Sequence, residues 1–463
     1  MTQRKNWMTQ VRIGVAAAMC LCLLTACTST PAPTPSPSKP QLTVYYWPSD
    51  FQGGDISGLI LRYQTAHPGV NVKLENISWD GEAYISRLQT ELLSGEGPDV
   101  ILFNTRATMP NIAKLADAGV FEDLNPYLTA DPTYDPDNFV QPVLQSGQVD
   151  GKQLFMPYQY ALPVFAADKT TLADAGLGQL PQLNQDDLIS TAAAYTRRTG
   201  QIVFPADNIG VFPYNDAVYL LIASSGLQLY DLGAKKLTIS HADLVHLLTN
   251  YAAYHTASEP DDYYDSWGSH IDDYPYALES GFMRKDFLLY DITEQYGNDT
   301  FPLEFQLFTA QEGDMATEYF PYPPMDASSG LTAVPTAFVA LNANSANKQA
   351  SYDFIRTTMS YGGRLWYFPI DKTIQKTVTS NLTTGRIQNI MYYDVRLTPA
   401  PFTDDNIASY SNMLSRVTSA VAYDRNIMLI VCTAFEDFAS GEISSADQAA
   451  DQIEQQVGFY LSE

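Results

Sequence analysis

The sequence predicts an α/β protein whose parallel sheet is covered by helices. Strand-length apolar runs alternate with amphipathic helical stretches from residue 42 onward, and turn residues punctuate each change. Leu42-Thr43-Val44-Tyr45-Tyr46-Trp47 is rich in β-branched and aromatic residues and reads as a buried first strand. Ile56, Leu59, Ile60 and Tyr63 recur at i, i+3, i+4 and i+7, one face of a helix that His67-Pro68-Gly69 closes. Val70 to Ile77 reads as a second strand. Ile85, Leu88 and Leu92 mark a second helix, stopped by Gly95 and Gly97-Pro98, and Asp99 to Phe103 is the third strand. A further helix begins at Ile112. Later segments repeat the alternation: Ala217–Ala223 and Ala242–Tyr254 are helical in pattern, Leu331–Leu341 is strand-like, and Lys348–Met359 is amphipathic. Ser445 to Leu461 places Ala449, Ala450, Ile453 and Val457 on one face of a terminal helix. Ligands of parallel α/β sheets bind beyond the carboxyl ends of the strands. That rule points to three loops, 47–51, 78–80 and 103–106.

Composition narrows the partners. The chain carries 52 acidic against 26 basic residues, for a net charge of −26. Such a surface repels phosphate backbones and anionic headgroups, which argues against nucleic acid and direct lipid-surface partners. Aromatic residues are abundant, with 30 Tyr, 21 Phe and 5 Trp, which supplies flat apolar surfaces for either cores or ligands.

The amino terminus reads as a targeting segment. Arg4, Lys5 and Arg12 form a positive region, and Ile13 to Ala26 is an apolar run of signal-peptide length, too short to span a bilayer comfortably. Leu24-Thr25-Ala26-Cys27 resembles the lipobox of bacterial lipoproteins. The resemblance implies cleavage after residue 26 and acylation of Cys27, which removes three positive charges and leaves the mature chain at −29. It also makes the membrane a partner through the acyl chain and places the protein on the outer face of the cell membrane. An ordinary secretory peptide is the plainer alternative. Residues 27–41 then form the acylated cysteine and a Pro/Ser/Thr-rich tether, extended and stiff, with Pro31, Pro33, Pro35, Pro37 and Pro40. Cys20 and Cys22 leave with the signal peptide. Of the mature cysteines only Cys432 is free of lipid, and its apolar run Ile427–Val431 marks it as core rather than nucleophile.

Several pieces from residue 42 onward resemble, in order, the family 1 extracellular solute-binding proteins, receptors of ATP-binding-cassette sugar importers. They are the Trp-ended first strand, His67-Pro68-Gly69-Val70, Ser94-Gly95-Glu96-Gly97-Pro98-Asp99-Val100, and Leu115 to Val120 with Leu124. Gly151 to Pro157, Ala333 to Ser360 and Phe438-Ala439-Ser440-Gly441 continue the series. The resemblance implies a two-lobed, type II periplasmic-binding-protein-like fold. Each lobe is a mostly parallel sheet flanked by helices, and hinge strands join the two. Lobe 1 would take residues 42–158 and 335–367, and lobe 2 residues 159–334 and 368–463, with crossings near Gln159, Pro335 and Phe368. It further implies a monomeric receptor, not an enzyme, that binds a carbohydrate and passes it to permease subunits without cofactor or metal.

Sugars offer hydroxyl edges and apolar C–H faces, so their receptors need aromatic platforms beside short polar groups. Trp47 and Asp50 after the first strand, Trp79 after the second, and Phe103 and Asn104 at the end of the third supply such groups where the sheet geometry wants them. In the other lobe the candidates are Tyr158 and Tyr160 near the hinge, Tyr214 in Phe212-Pro213-Tyr214-Asn215-Asp216, and Tyr290 with Asp291. The acidic residue that the family usually carries after the hinge Tyr-x-x is replaced by Ala161, which leaves the sugar open. Segment 259–276, crowded with Asp and Tyr, lines the cleft, binds a cation, or is a solvated acidic insert; the last is the simplest account. Nucleotide-loop, zinc-protease and serine-elbow signatures are absent. His241 and His246 are five apart and turn to different helix faces, while Asp131, Asp135 and Asp137 lack the glycine and closing glutamate of an EF-hand. A lipid-anchored carbohydrate hydrolase and a receptor for a peptide, polyamine or metal chelate remain as alternatives.

Overall fold

Chain order supplies the predicted alternation: β1 (Gln41–Tyr46), α1 (Ser57–Ala66), β2 (Asn71–Asn76), α2 (Gly81–Leu93), β3 (Val100–Asn104) and α3 (Ile112–Asp117). Further on come β4 (Phe155–Ala161), β5 (Val164–Asp168), α4 (Gln185–Thr199), α5 (Asp216–Ser225), α6 (His241–Ala257), β6 (Thr317–Pro321) and β7 (Leu331–Leu341). They are followed by α7 (Lys348–Met359), β8 (Phe368–Pro369), β9 (Val417–Ala420), α8 (Arg425–Ser440) and α9 (Ala446–Ser462). The computed structural model describes residues 40–47, 56–76, 80–105, 108–204, 216–258, 290–291, 317–326, 329–361, 368–383, 390–392, 395–397 and 404–462. The compact unit begins at Gln41. Cys27, the signal segment and the tether up to residue 39 lie outside the described residues, Gln41 already belongs to β1, and no helix among those described is long and apolar enough to cross a membrane.

β1 lies between β2 and β3 and is parallel to both, with Gln41 opposite Asn71 and Val44 opposite Val100. Each connection carries a helix, as parallel pairing requires. α2 starts on Asp80, whose carboxylate accepts from the amides of Glu82 at 3.0 Å and Ala83 at 3.5 Å. It stops where Gly95 and Gly97 take positive φ, conformations that an L side chain would strain. The predicted faces are buried: Leu59 and Tyr63 on α1, then Ile85, Leu88 and Leu92 on α2, with Tyr84 added.

The sheet then departs from an all-parallel arrangement. Its order is β8-β4-β7-β3-β1-β2, with β9 also pairing with β7. β7 runs antiparallel to both β3 and β4, with Phe338 opposite Phe103 and Pro335 opposite Tyr160. All 11 of its residues are buried, so it is the central strand. A strand that returns from a distant part of the chain needs no crossover helix, which permits the reversed direction.

Two core regions result. One packs on the two faces of this sheet. The other gathers Phe165, α4, α5, α6, α8 and α9, with Cys432 inside it at 2 % exposure. The terminal helix buries Ala449, Ala450, Ile453 and Val457, the face read from the sequence. The described parts of residues 368–417 pack differently from the expected lobe boundary. Phe368, Ile370, Met413 and Val417 join the sheet core, because β8 and β9 are edge partners of β4 and β7. Residues of the second core resume at Tyr423.

Candidate functional site

The residues read as crossings, Gln159, Pro335 and Phe368, lie on neighbouring strands. β4 pairs with β7 and β8 so that Tyr160 faces Pro335 and Phe368 in register, and Gln159 faces Ala337 and Pro369. Gln375 ties the group: its Nε2 donates to Tyr160 Oη at 2.9 Å and to the Pro369 carbonyl at 2.7 Å. Burial pushes the Tyr160 phenol above its usual range, against the opposing effect of the Gln375 hydrogen bond. The neutral hydroxyl therefore accepts from Gln375 as a structural bond.

The carboxyl ends of β1 and β3 lie beside this junction. Asn104 and Thr108 bracket the turn after β3: the Asn104 amide donates to Thr108 Oγ1 at 2.9 Å, and the Thr108 amide donates to Asn104 Oδ1 at 3.4 Å. The Thr105 amide donates to the Thr336 carbonyl at 3.0 Å, which fastens the turn to β7. All four residues are buried. The loop that leaves β3 is thus held at both ends by groups that the sequence offered only as polar. Trp47 ends β1 half-buried, packed against the cluster of Tyr45, Tyr84 and Phe103.

The predicted site residues divide accordingly. Asp50, Trp79 and Tyr214 lie outside the described residues, as does segment 259–276. Tyr290 and Asp291 are described by backbone alone, paired antiparallel with Ala166 and Phe165 of β5. Trp47 and Asn104 stand at the strand ends as expected. Phe103, Tyr158 and Tyr160, offered as platforms, are buried in this arrangement. Phe103 is 1 % exposed, stacked on Phe338 at 5.4 Å and edge-on to Phe155 at 5.7 Å. Tyr158 and Tyr160 are buried in the sheet core, because every residue of β4 is covered on both faces. A buried ring has no face left for a ligand.

Candidate metal and acid clusters have structural explanations. Asp135 caps a short turn at Pro136–Asn138, and Asp131 is held by Thr133, Tyr352 and Arg356. His246 Nε2 sits 3.0 Å from both oxygens of Asp186. His241 meets Asp447 and Glu454 at the surface; desolvation lowers its pKa, and the neighbouring acids together outweigh that and raise it.

Sequence reasoning missed a seam between the two cores. Asp424 is 1 % exposed and caps α8, accepting from the amides of Asn426 at 2.9 Å and Ile427 at 3.3 Å. Burial raises its carboxyl pKa, against the lowering effect of those amides, the Tyr460 hydroxyl and the Ile112 amide. An Asp before an apolar helical run signals a cap. Its contact with a residue more than three hundred positions earlier leaves no local signal.

A model of the bacterial extracellular solute-binding proteins matches residues 58–361. Among solved structures, an ABC substrate-binding protein from Listeria monocytogenes in complex with cycloalternan is 16% identical with a TM-score of 0.58, over 92% of this chain and 99% of that one. The sugar-binding protein MalE from Xanthomonas citri is 16% identical with a TM-score of 0.60, over 91% and 97%. A putative oligosaccharide periplasmic-binding protein from Synechococcus sp. MITs9220 is 16% identical, again at 0.60, over 91% and 99%. No curated protein sequence matches. At that identity the solved structures establish the fold, and the family match, over more than half of the chain, establishes the rest: this chain belongs to the bacterial extracellular solute-binding proteins, a family of binding proteins rather than enzymes.

Proposed function

We propose that the protein is a membrane-anchored receptor that captures a carbohydrate outside the cell and delivers it to an ATP-binding-cassette importer. The observation that carries the reading is the family match over residues 58–361. Support comes from the two cores, three adjacent linking strands, and loops that leave β1 and β3 beside them. In this reading β4, β7 and β9 are the hinge of two lobes. Lobe 1 keeps the sheet with residues 368–420, and lobe 2 takes the second core from about Tyr423 onward. Acylated Cys27 anchors the chain, and the Pro-rich tether supplies reach, so the receptor is concentrated near its permease. Sugar as the solute is favoured by Trp47 and Asn104 at the strand ends and by the sugar-binding neighbours of the same fold.

Calorimetry of the full chain against a panel of neutral mono- and oligosaccharides tests this. Saturable one-to-one binding is the expected outcome, and turnover of a glycan instead would return the protein to the hydrolase reading. Within that panel, Trp47→Ala and Tyr214→Ala should each weaken binding about tenfold, ~1.4 kcal/mol. An unchanged dissociation constant in the double variant would remove both from the site.

A further inference from the structure

The outer side of the second core brings one histidine against three carboxylates. His241 is the first residue of α6, which Ser240 caps. Asp447, Asp451 and Glu454 recur at i, i+4 and i+7 near the start of α9, on one helix face. α6 packs on α9 through buried residues of the same core, Leu244, Leu247 and Leu248 on one helix and Ala450, Ile453 and Val457 on the other. The backbones that carry the four polar side chains are therefore fixed relative to each other.

The two ring nitrogens face different acids. Nδ1 lies 3.2 Å from Glu454 Oε1 and 3.9 Å from Asp451 Oδ1, while Nε2 lies 3.5 Å from Asp447 Oδ1. Donor atoms of His241, Asp451 and Glu454 all fall within 4.8 Å of one another. A tetrahedral zinc ion, with ligand bonds of about 2.1 Å, needs its donors about 3.3 Å apart. The edge from Nδ1 to Glu454 already has that length. The Asp451 side chain is 76 % exposed and free to turn inward over the remaining distance. Asp447 stands against the nitrogen that the metal would leave free, where a ligating imidazole commonly has a carboxylate.

Charge points the same way. A protonated ring sets one positive charge against three negative ones and leaves two uncompensated. A divalent ion on a neutral ring leaves one. The N-terminal ends of α6 and α9 oppose a cation, each by no more than about fivefold in affinity. His246 offers a contrast: its Nε2 faces a single carboxylate, that of Asp186, and pairing alone accounts for it.

We infer that His241, Asp451 and Glu454 form a zinc site that staples the terminal helix to α6, with Asp447 as the positioning residue of the imidazole and water in the fourth place. The inference goes beyond the transport reading and is independent of the solute, because all four residues lie on two helices of one core.

Zinc chloride titrated calorimetrically into the untagged full chain, in a buffer that does not chelate metal, tests it. One ion per chain should bind saturably, and a tenfold excess of Mg²⁺ should leave the affinity unchanged. His241→Ala and the Asp451→Asn/Glu454→Gln double variant should each weaken binding tenfold or more. Asp447→Asn should weaken it about tenfold with the urea midpoint of the zinc-free chain unaltered. His246→Ala should change nothing. Zinc should also slow amide exchange in the peptide 446–454 several-fold and leave that of 112–117 as it was. No saturation below about 1 mM would overturn the site. So would full affinity in His241→Ala, or displacement by Mg²⁺ on equal terms, either of which would make the cluster a solvated acidic face with an ion-paired histidine. Sugar calorimetry can fail with zinc bound, and zinc binding can fail with sugar binding intact.

Discussion

Phe103→Ala should lower the stability of the sheet core by about 3–5 kcal/mol, the usual cost of removing a fully buried phenylalanine. The ring is 1 % exposed, stacks on Phe338 at 16° interplanar angle, and meets Phe155 edge-on at 88°. Phe155 in turn packs edge-on against Phe121 at 4.8 Å, so the cavity would open in the middle of an aromatic cluster that cannot collapse easily. Two cores in one chain permit two unfolding steps. Urea titration followed by near-ultraviolet circular dichroism should show the midpoint of one step move, with the step of the second core in place. The folded variant should bind the sugar identified by calorimetry within about threefold of the parent. A large loss of affinity with stability unchanged would restore Phe103 to the site.

That contrast shows what could be read from sequence. Local periodicity located α1, α2 and α9 and their buried faces, because a 3.6-residue repeat is written in neighbouring residues. The parallel pairing of β1 with β2 and β3 followed from the helical connections between them. The antiparallel entry of β7 did not: Ala337 pairs with Asn104, more than two hundred residues away, and no local pattern records that partner. The same limit hides the burial of Tyr158 and Tyr160. An aromatic residue near a hinge looks like a platform until both faces of its strand prove to be covered. Asn104 was legible as an oddity, a polar residue closing a run of apolar ones. Its bond to Thr108 shows that the oddity holds a loop in place. The resemblance implied a boundary near Phe368, while β8 and β9 pair with β4 and β7, a partnership that no local pattern records.

Arg356→Ala should cost about 2–3 kcal/mol at neutral pH, and its partner Asp131 should make the protein acid-sensitive in a defined way. The pair joins α7 to the loop after helix Asn125–Ala130, at a groove of about 630 Å³. Arg356 Nε donates to Asp131 Oδ2 at 3.0 Å, and Tyr352 Oη donates to the same oxygen at 2.9 Å. Thr133 gives its amide at 2.8 Å and its hydroxyl at 2.6 Å to the other. The guanidinium also lies over the rings of Tyr134 and Phe139. Its Nη1 is buried with no hydrogen-bond partner, so deleting the side chain relieves one desolvation penalty and keeps the loss below that of an ideal buried pair. Burial alone would raise the Asp131 carboxyl; the two Thr133 donors, Arg356 and Tyr352 together hold it well below the usual carboxylate range. A carboxyl whose folded pKa is depressed stabilises the fold fully above its unfolded value, near 3.9, and loses that contribution as pH falls towards the folded value. The stability difference between parent and Asp131→Asn should therefore be constant from pH 7 to about 5. Below about pH 4 it should shrink, by at most ~1.4 kcal/mol per pH unit. Urea midpoints at pH 7, 5, 4 and 3 measure this, and taking the difference between two chains cancels the acid response of the other carboxylates. A difference that stays flat down to pH 3 would mean that Asp131 acts through its shape and hydrogen bonds, and that its charge contributes nothing.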